Sequence, residues 1–389
     1  MDWIESAEKI PAALWQDFFP PHLEGLWWFR ALEKANLEKQ FRFFYALIKS
    51  GQEPIAIAPS FLMDVPIELV APDMVATVLR AVGPLLPSLT YQRTLFVGSP
   101  CADEGTIGVK PGVPLRDVVL PLQGALEKKA QSLSAPMIVW KDLPDEYNEA
   151  MAALAEQKNL FRLVSFPGTL LKFDTNVSVD FYYQNLKGSR RHNLKKKLKR
   201  SKNLVEIESS VIQKPDEAAL EEIFALFWQT YEKGKTKFEK LNKEFFRLIA
   251  GCENSWFVLL REASTNKLVA FMLCFKLGDR VINKFIGIDY ERPSEWYLYF
   301  RLWEVALEWV VLQGVKEFQS GQTGYRAKID VGHELVPLTN HCKNLNPIIN
   351  AVYAKVATTV NWSSLDTDLE IFLKAHPEAK LEPAKVLIS

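Results

Sequence analysis

The stretch Trp256–Phe275, WFVLLREASTNKLVAFMLCF, contains two apolar runs on either side of a short polar segment. Two such runs joined by small and polar residues are typical of a β-hairpin. A further strand-like run, Asn283–Ile288, follows and ends at the polar pair Asp289 and Tyr290. A long helix is predicted after this corner, from about 295 to 313. The order predicts an antiparallel meander of three strands followed by a helix.

The same order occurs in the first part of the chain. The stretch Phe43–Leu62, FFYALIKSGQEPIAIAPSFL, again has a polar turn between two apolar runs, and the strand-like run Thr94–Gly98 follows it. A second long helix is predicted from about 113 to 134. This recurrence indicates an internal duplication, with a chance recurrence of a common pattern as the alternative. The two hairpins are therefore expected to occupy equivalent positions in two pseudo-repeated halves.

Further elements are predicted in the second half. They are helices at about 178–186, 189–202 and 216–232, and strands at about 204–211 and 315–319. This mixed order predicts an α/β fold class, with an α+β mixed sheet in each half. The helical pattern that ends at Asn159 and the Pro167-Gly168 pair indicate a boundary between them. The predicted domains are 1–160, with a supporting role, and 161–389, with the catalytic role.

Length and composition agree with two packed domains. The chain has 389 residues, of which 48% are hydrophobic and 24% are charged, and a domain typically takes ~100 to 200 residues. Lys plus Arg (47) equals Asp plus Glu (47), so no net charge directs the whole chain to nucleic acid or an anionic membrane.

The cysteines and the N-terminus exclude several classes of protein. The four cysteines show no CxxC spacing, which predicts reduced thiols, no disulfide framework and no metal site. The N-terminal Met1–Glu5 is acidic where a signal peptide would be basic, and no run approaches the ~18 apolar residues of a membrane span. A cytoplasmic protein without a transmembrane segment is expected.

Two segments resemble a known branch of enzymes. The first is Phe181–Arg200, FYYQNLKGSRRHNLKKKLKR, with a tyrosine-bearing helix, a break and a basic helix; the second is Phe318–Gly332, FQSGQTGYRAKIDVG, with a strand, a glycine turn and a lysine before a glycine. They resemble the Fem-like branch of the GNAT acyltransferase superfamily, related to the FemAB and FemX peptidyltransferases and to CelD-like proteins of cellulose biosynthesis. The resemblance implies a tandem GNAT-like fold, in which an amine directly attacks an acyl donor without a covalent enzyme intermediate.

The loop Tyr290–Tyr297, YERPSEWY, departs from the GNAT pattern. Many GNAT enzymes carry a glycine-rich loop here, whose amides approach the pyrophosphate of coenzyme A, but this loop has no glycine. Ser294 could cap the helix and leave the amides of Trp296, Tyr297 and Leu298 for an anion. An acyl thioester such as acetyl-CoA is the expected co-substrate and aminoacyl-tRNA the alternative, while the acceptor is a small-molecule, peptide or sugar amine.

Four residues are candidates for the chemistry. Lys328, in a glycine-rich turn, resembles the lysine of the Fem-like branch, and an ammonium there would stabilise the donor or a developing oxyanion. Tyr325 could donate its hydroxyl to the acyl carbonyl. His341 and Asp289 are alternative bases for the attacking amine. For each, the alternative is a structural role, as a surface lysine, a packed phenol, a hydrogen-bonded histidine or a turn-forming acid.

The remaining candidates would bind the donor. Nine Lys or Arg and no acid occur from Lys187 to Lys202, which indicates either a helix that attracts a phosphate-rich donor or a solvated helix face. Besides the loop residues above, the predicted binding residues are Arg190, Arg191, Gly321, Gln322 and Gly324. A binding or scaffold protein that kept the fold without the chemistry is the alternative from another class.

Overall fold

A computed structural model describes residues 1–37, 40–66, 91–173, 178–234 and 240–376. The chain divides into two compact units. The first unit comprises Met1–Pro20, Asn36–Pro167 and Pro337–Ser389, and the second comprises Pro21–Ala35 and Gly168–Val336. These units differ from the predicted domains 1–160 and 161–389, because each takes in a segment from the other part of the sequence.

One mixed sheet forms the centre of the first unit. Its strands are β1 Asp2–Ile4, β2 Arg42–Ser50, β3 Glu53–Pro66, β4 Tyr91–Val97, β5 Gly108–Val109, β6 Met137–Leu143, β7 Phe161–Val164 and β15 Thr339–Asn344. The order across the sheet is β1-β2-β3-β4-β6-β15-β7, with β5 paired to β3. The pairs are antiparallel except β4 and β6, which run parallel.

The sheet of the second unit has the same order. Its strands are β8 Gly168–Lys172, β9 Ile207–Ile212, β10 Ser255–Glu262, β11 Leu268–Leu277, β12 Arg280–Ile288, β13 Glu317–Ser320 and β14 Glu334–Val336. Read from β9, the order is β9-β10-β11-β12-β13-β8-β14. Here too one pair is parallel, β12 with β13, and the others are antiparallel.

The two sheets confirm the predicted duplication. The hairpins β2-β3 and β10-β11 hold the same position in their sheets. In each unit a third antiparallel strand follows, then a long helix, then a strand that pairs in parallel with the third. Position by position, β4 corresponds to β12 and β6 to β13.

One position in each sheet explains why the units are discontinuous in sequence. The strand between β13 and β14 is β8, which follows the last strand of the first repeat. The strand between β6 and β7 is β15, which follows the last strand of the second repeat. Because β7 and β15 both follow residue 160 and both belong to the first sheet, a single cut near that residue does not separate the units.

Thirteen helices occur among the described residues. They are α1 Ala12–Phe18, α2 Leu26–Lys34, α3 Leu115–Ser132, α4 Asn148–Lys158, α5 Val179–Asn185, α6 Gly188–Leu204, α7 Glu217–Lys233, α8 Lys243–Ala250, α9 Leu298–Leu312, α10 Tyr325–Asp330, α11 Pro347–Ala357, α12 Trp362–Leu365 and α13 Thr367–Ala375. Side-chain caps begin several of them, as Asp216 does by accepting from the Ala219 amide at 2.8 Å.

Helices cover both faces of the second sheet. On one face, called here the α9 face, α5, α6 and α9 pack against residues such as Val281 and Phe318. On the other face, rings of α2, α7 and α8 pack against Phe271, Phe275 and Phe285. Burial on both faces explains the continuous apolar runs of β10 and β11.

Candidate functional site

Strands β12 and β13 separate at their carboxyl ends. Their parallel pairing stops at Asn283 and Ser320, whereas β12 continues to Ile288. At this point the Asn283 amide nitrogen donates to the Ser320 hydroxyl at 3.3 Å. Both side chains point to the α9 face, because they lie two residues after Val281 and Phe318, which pack there. The separation leaves an opening between two strands, lined at its base by small polar residues.

Gly287 lies where helix α7 packs against β12, and the close packing leaves no room for a side chain there. A Cβ at this position would lie 2.7 Å from the backbone of Leu226 in α7 and 2.3 Å from the ring of Phe271. Helix α7 therefore packs directly on β12 where the strand has no β13 partner.

Helix α10 follows β13 and brings a lysine to the opening. It begins after Gly324, which has the left-handed φ of 68°, a conformation that glycine adopts without strain. Lys328 is 7% exposed, and its ammonium donates to the Gly321 carbonyl directly after β13. Thr169 of β8 donates to the same carbonyl at 3.2 Å. The structure thus brings together Lys328 and Gly321 from the predicted set.

Tyr325 and Gln322 occupy the same segment. The Tyr325 side chain is fully buried at the start of α10, while Gln322 is half-buried in the turn before it. Tyr325 therefore lies among packed side chains, and its predicted contact with an acyl carbonyl stays a prediction.

His333 lies directly after α10 and was missed as a site residue in the sequence. It is 4% exposed, and neither ring nitrogen has a hydrogen-bond partner among the described residues. Its backbone amide donates to the Lys328 carbonyl at 3.0 Å, and its ring centroid is 6.0 Å from that of Phe318. Burial, and then the nearby Lys328 charge, lowers the pKa of His333 to about 3, and a weaker interaction of the ring with the Lys328 backbone opposes this shift. The imidazole is therefore neutral at physiological pH.

Asp289 is held by structural contacts. Its carboxylate is fully buried and pairs with Lys267 and Arg292, each at 3.2 Å. The other carboxylate oxygen accepts from the Glu291 amide at 3.2 Å. These contacts fit the turn-forming alternative, because a base needs an oxygen that is open to the substrate.

The loop after β12 uses most of its own amides. The Trp296 amide donates to Pro293 at 3.0 Å and the Tyr297 amide to Ser294 at 3.1 Å. The expectation that both amides are open for an anion is therefore wrong, since a short 3₁₀ turn at Ser294–Trp296 engages them. Ser294 is exposed and Leu298 begins α9, so donor binding by these two stays a prediction.

Helix α6 is the predicted basic helix, and it packs through Leu194 and Leu198. Three of its cations meet acids from other segments: Lys197 with Asp330 at 3.6 Å, Arg200 with Glu295 at 3.9 Å and Lys202 with Glu304 at 3.0 Å. These partner acids are distant in sequence, so the segment around the cations contains none of them.

The other cations of this region differ in their surroundings. Arg191 donates to the carbonyls of Tyr183 and Gln184 at the end of α5, at 3.3 and 3.1 Å. Among the described residues, Lys187, Arg190, Lys196 and Lys199 have no ion-pair partner, and all but the half-buried Arg190 are exposed. Arg191 thus holds two helices together, whereas the unpaired cations are available to an anion.

An open groove of about 410 Å³ runs beside α6. It is lined by Tyr183, Lys195, Leu198, Lys199, Lys202, Asn203 and Glu304. The Lys195 ammonium lies 5.1 Å from the Tyr183 ring centroid. Burial, followed by the charges of Glu304 and Glu308, raises the pKa of Tyr183, so its hydroxyl stays protonated at neutral pH. The groove combines three lysines, of which Lys202 is paired with Glu304, with one aromatic edge.

His341 belongs to the first unit. It lies in β15 opposite Trp140 and Arg162 and is 4% exposed, and neither ring nitrogen has a partner among the described residues. Burial, and then Arg162, lowers the pKa of His341 to about 4. The predicted set is thus divided between the units, with Lys328, Tyr325 and Asp289 in the second. The role of His341 stays a prediction.

Metal ligation and membrane crossing find no support among the described residues. No group of three or more His, Cys, Asp or Glu side chains in this part of the chain could hold a metal ion. No helix there combines the length and apolar character that crossing a lipid bilayer requires.

Comparison with known proteins gives a family and several similar folds. The model of the FemAB-like family, described as peptidoglycan biosynthesis/recognition, matches residues 148–354. No curated protein matches the sequence. Among solved structures, the crystal structure of FemX is similar, with 8% identity, a TM-score of 0.58, and coverage of 91% of this chain and 100% of that one.

Two further structures show the same fold. One is the C-terminal domain of a putative lysylphosphatidylglycerol synthetase from Agrobacterium fabrum, with 10% identity, a TM-score of 0.53, and coverage of 90% of this chain and 95% of that one. The other is L-PGS from Bacillus licheniformis, with 12% identity, a TM-score of 0.51, and coverage of 84% and 96%. With the FemX likeness and the duplicated sheets, these findings confirm the predicted GNAT-like fold of two halves.

Proposed function

The chain belongs to the FemAB-like family, and from the geometry of its second unit we propose that it transfers an aminoacyl group from a tRNA ester to an amine. The observation that carries this choice of donor is the distribution of charge around the β12–β13 opening. The loop after β12 has no glycine and engages its Trp296 and Tyr297 amides internally. By contrast, α6 presents a row of cations.

The length of that row favours a polyanion over a single pyrophosphate. Helix α6 has 17 residues, which corresponds to ~25 Å at ~1.5 Å per residue. The unpaired cations, from the N-cap Lys187 to Lys199, cover ~18 Å of this length. A tRNA carries many phosphates along such a distance, and each cation that meets one adds to binding by releasing counterions.

The reaction needs positioning more than covalent chemistry. The amine nitrogen of the acceptor attacks the ester carbonyl carbon, and the carbon–oxygen bond to the ribose breaks. The proton lost by the amine balances the proton gained by the ribose oxygen. A tetrahedral oxyanion forms between these steps, and the Lys328 ammonium beside the opening would stabilise it.

The description of the family supports a choice of acceptor. Its description as peptidoglycan biosynthesis/recognition points to an amine on a peptidoglycan peptide. A cytoplasmic location, expected from the sequence, would give access to charged tRNA.

An acyl-CoA such as acetyl-CoA is the second candidate donor. One observation favours it: the 15-residue helix α9 begins at Leu298, close after the end of β12, and helix N-termini bind phosphates. Ser294 would lie beside such an anion.

A binding and transfer experiment tests the proposal. Unfractionated tRNA charged with a mixture of ¹⁴C-amino acids is incubated with the protein and with muropeptides released from peptidoglycan by a muramidase. We expect label in the muropeptides, and we expect filter binding that weakens steeply with salt. A thermal shift with acetyl-CoA and no binding of charged tRNA would overturn the choice of donor. Binding without transfer to any amine would favour the scaffold alternative.

Neutralising the unpaired cations sharpens the test. Lys196 and Lys199 changed to Gln should weaken tRNA binding and reduce the salt slope by about one for each phosphate that a lysine no longer neutralises. The matched control changes the exposed Lys172 and Lys214 of the same unit to Gln. Equal effects of both sets would favour the alternative that α6 is a solvated helix face without a role in donor binding.

A further inference from the structure

Two buried side chains near the opening have polar atoms without partners among the described residues. They are Asn283, through its side-chain oxygen, and His333, through both ring nitrogens. Each side chain is 4% exposed. A buried polar atom without a hydrogen bond costs free energy comparable to a lost hydrogen bond, and native proteins contain few of them. Two such side chains near one opening call for a ligand or an ordered water.

Both side chains lie on the α9 face of the second sheet. Asn283 follows Val281 by two residues, and Val281 packs on that face. The His333 ring is next to Phe318, another member of the same packed layer. Since Phe318 and Ser320 lie two residues apart on β13, both unpaired groups lie near the end of this strand.

A chain of contacts links them through the lysine. Asn283 donates to Ser320, the next residue Gly321 accepts from Lys328, and the Lys328 carbonyl accepts from the His333 amide. The groups in the middle of this chain of contacts therefore have hydrogen-bond partners, whereas the Asn283 oxygen at one end and the His333 ring at the other have none among the described residues. A ligand seated at the opening would meet an amide oxygen at one end and an imidazole at the other.

The charge of these groups limits the ligand. The amide oxygen of Asn283 is an acceptor, and a neutral imidazole has one acceptor nitrogen and one donor. Burial and Lys328 together keep His333 neutral. Neither group offers a positive charge to a phosphate, and the Lys328 charge that keeps His333 neutral also disfavours a cation beside it, so both suit an uncharged group that donates hydrogen bonds.

We propose that Asn283 and His333 bind the α-amino group of the transferred aminoacyl moiety and so select aminoacyl donors over simple acyl donors. This inference rests on the proposed function. In an aminoacyl ester the α-amino group is one carbon from the reacting carbonyl, so a carbonyl seated beside Lys328 brings it within the opening. It donates to the Asn283 oxygen and to a ring nitrogen of His333. An acetyl group would leave both unpaired, which is the kind of mismatch that gives strong rejection.

The test compares three probes on the full chain. They are unfractionated aminoacyl-tRNA, the same preparation N-acetylated on its α-amino groups, and deacylated tRNA, each measured by filter binding at one salt concentration. In the parent protein we expect aminoacyl-tRNA to bind at least about tenfold more tightly than the N-acetylated form, because the hydrogen bonds of the amino group to both residues are lost.

The variants remove the two groups separately. His333→Phe and Asn283→Leu should each lower this ratio toward one, whereas Asn283→Asp keeps an acceptor and should retain it. Ser255→Ala is the control, because the Ser255 hydroxyl is also buried and unpaired among the described residues but lies at the start of β10. We expect the Ser255→Ala ratio to equal that of the parent. Melting temperatures of all variants identify any that fail to fold.

The outcomes separate this inference from the proposed function. Parent binding that is equal for the aminoacyl and N-acetylated forms would overturn the inference and leave the tRNA proposal intact. Variants that weaken both probes equally would assign Asn283 and His333 to packing, with an ordered water between them. If no tRNA probe binds, the proposed donor fails. Should both variants reduce discrimination while Ser255→Ala does not, the two residues are the α-amino site.

Discussion

In both units the pairing of the two parallel strands ends at an equivalent position, but the side chains at that position differ. In the second unit the last pair is Asn283 with Ser320, both small and polar. In the first unit it is Val97 with Trp140. Trp140 is fully buried, and its indole nitrogen donates to Gln123 of α3 at 2.8 Å. The first opening is thus packed and satisfied, whereas the second retains unpaired polar atoms. The two units share their strand order, and the side chains at these two positions distinguish a packed strand end from one with unpaired polar atoms.

The next position repeats the contrast. Gly98, with a φ of 121°, follows Val97 in the first unit. Lys284 follows Asn283 in the second and forms an ion pair with Glu24 at 2.5 Å, with both side chains buried. The Trp28 ring lies 5.0 Å from the Lys284 ammonium. The segment Pro21–Ala35 is therefore held to the second unit by a charge pair that has no counterpart at Gly98.

Breaking this charge pair should give the largest effect on stability. Lys284→Met leaves the Glu24 carboxylate buried and unpaired, which typically costs about 3 to 5 kcal/mol. We expect a large fall in the urea midpoint. The double variant Lys284→Met with Glu24→Leu should recover most of it, because apolar replacement of both partners is often neutral. A double variant as unstable as the single one would mean that Lys284 acts through other contacts.

Lys328→Ala should give the next largest effect, on turnover. Removing one preorganised donor to an oxyanion typically lowers turnover ~10² to 10³-fold, about 3 to 4 kcal/mol. Lys328→Arg keeps the charge but changes its reach, so it should also be slow. The measurement is label transfer from charged tRNA to muropeptides, with the exposed Lys214→Ala as control. Turnover like the parent's in a normally folded Lys328→Ala would remove this lysine from the mechanism.

Exchanging residues between the openings tests the comparison itself. Val97→Asn would bury an amide in a packed apolar layer, at a cost of ~1 to 3 kcal/mol for each unsatisfied group. Asn283→Val in the second unit removes an unpaired acceptor and should cost less stability, while it should reduce aminoacyl discrimination. Urea midpoints and filter binding measure the two effects. The opposite ranking of stabilities would show that the register correspondence does not reflect equivalent environments.

The sequence predicted the fold well because its signals are local. The predicted strand 283–288 is part of β12, and the predicted helix 113–134 is α3, which is two residues shorter at each end. Apolar runs, polar turns and helical periods lie within short windows, so they can be read directly. The exchange of β8 and β15 was missed, because a short strand carries no sign of the sheet it joins.

The site was less predictable for a physical reason. Lys328 could be singled out through its glycine-rich surroundings, but His333 and Asn283 gain their importance from burial and from missing partners, which depend on tertiary packing. The sequence led us to expect free backbone amides in the loop, and this expectation is wrong for Trp296 and Tyr297, whose amides form hydrogen bonds within the loop. Asp289 was predicted as one of two alternative bases, and its ion pairs with Lys267 and the nearby Arg292 fit the turn-forming alternative.

The smallest expected effect is on the pH dependence of stability, and it should be alike in both units. Burial lowers the pKa of His333 to about 3 and of His341 to about 4, below the ~6.5 of an unfolded histidine. Above pH ~6.5 both states are neutral, so neither group contributes a slope. As the pH falls below ~6.5, the unfolded chain binds protons that the folded chain does not, and stability falls by up to ~1.4 kcal/mol per pH unit for each histidine.

Unfolding in urea between pH 7 and pH 5 measures this slope. His333→Phe and His341→Phe should each flatten it, because phenylalanine binds no proton in either state, and the exposed His192→Asn is the control. Similar flattening in both units, together with loss of aminoacyl discrimination in His333→Phe, would show that burial alone sets the pH dependence while the open network sets the chemistry. An unchanged slope in His333→Phe would mean that its imidazole is hydrated in the folded protein, and the unpaired nitrogens would then have water as their partner.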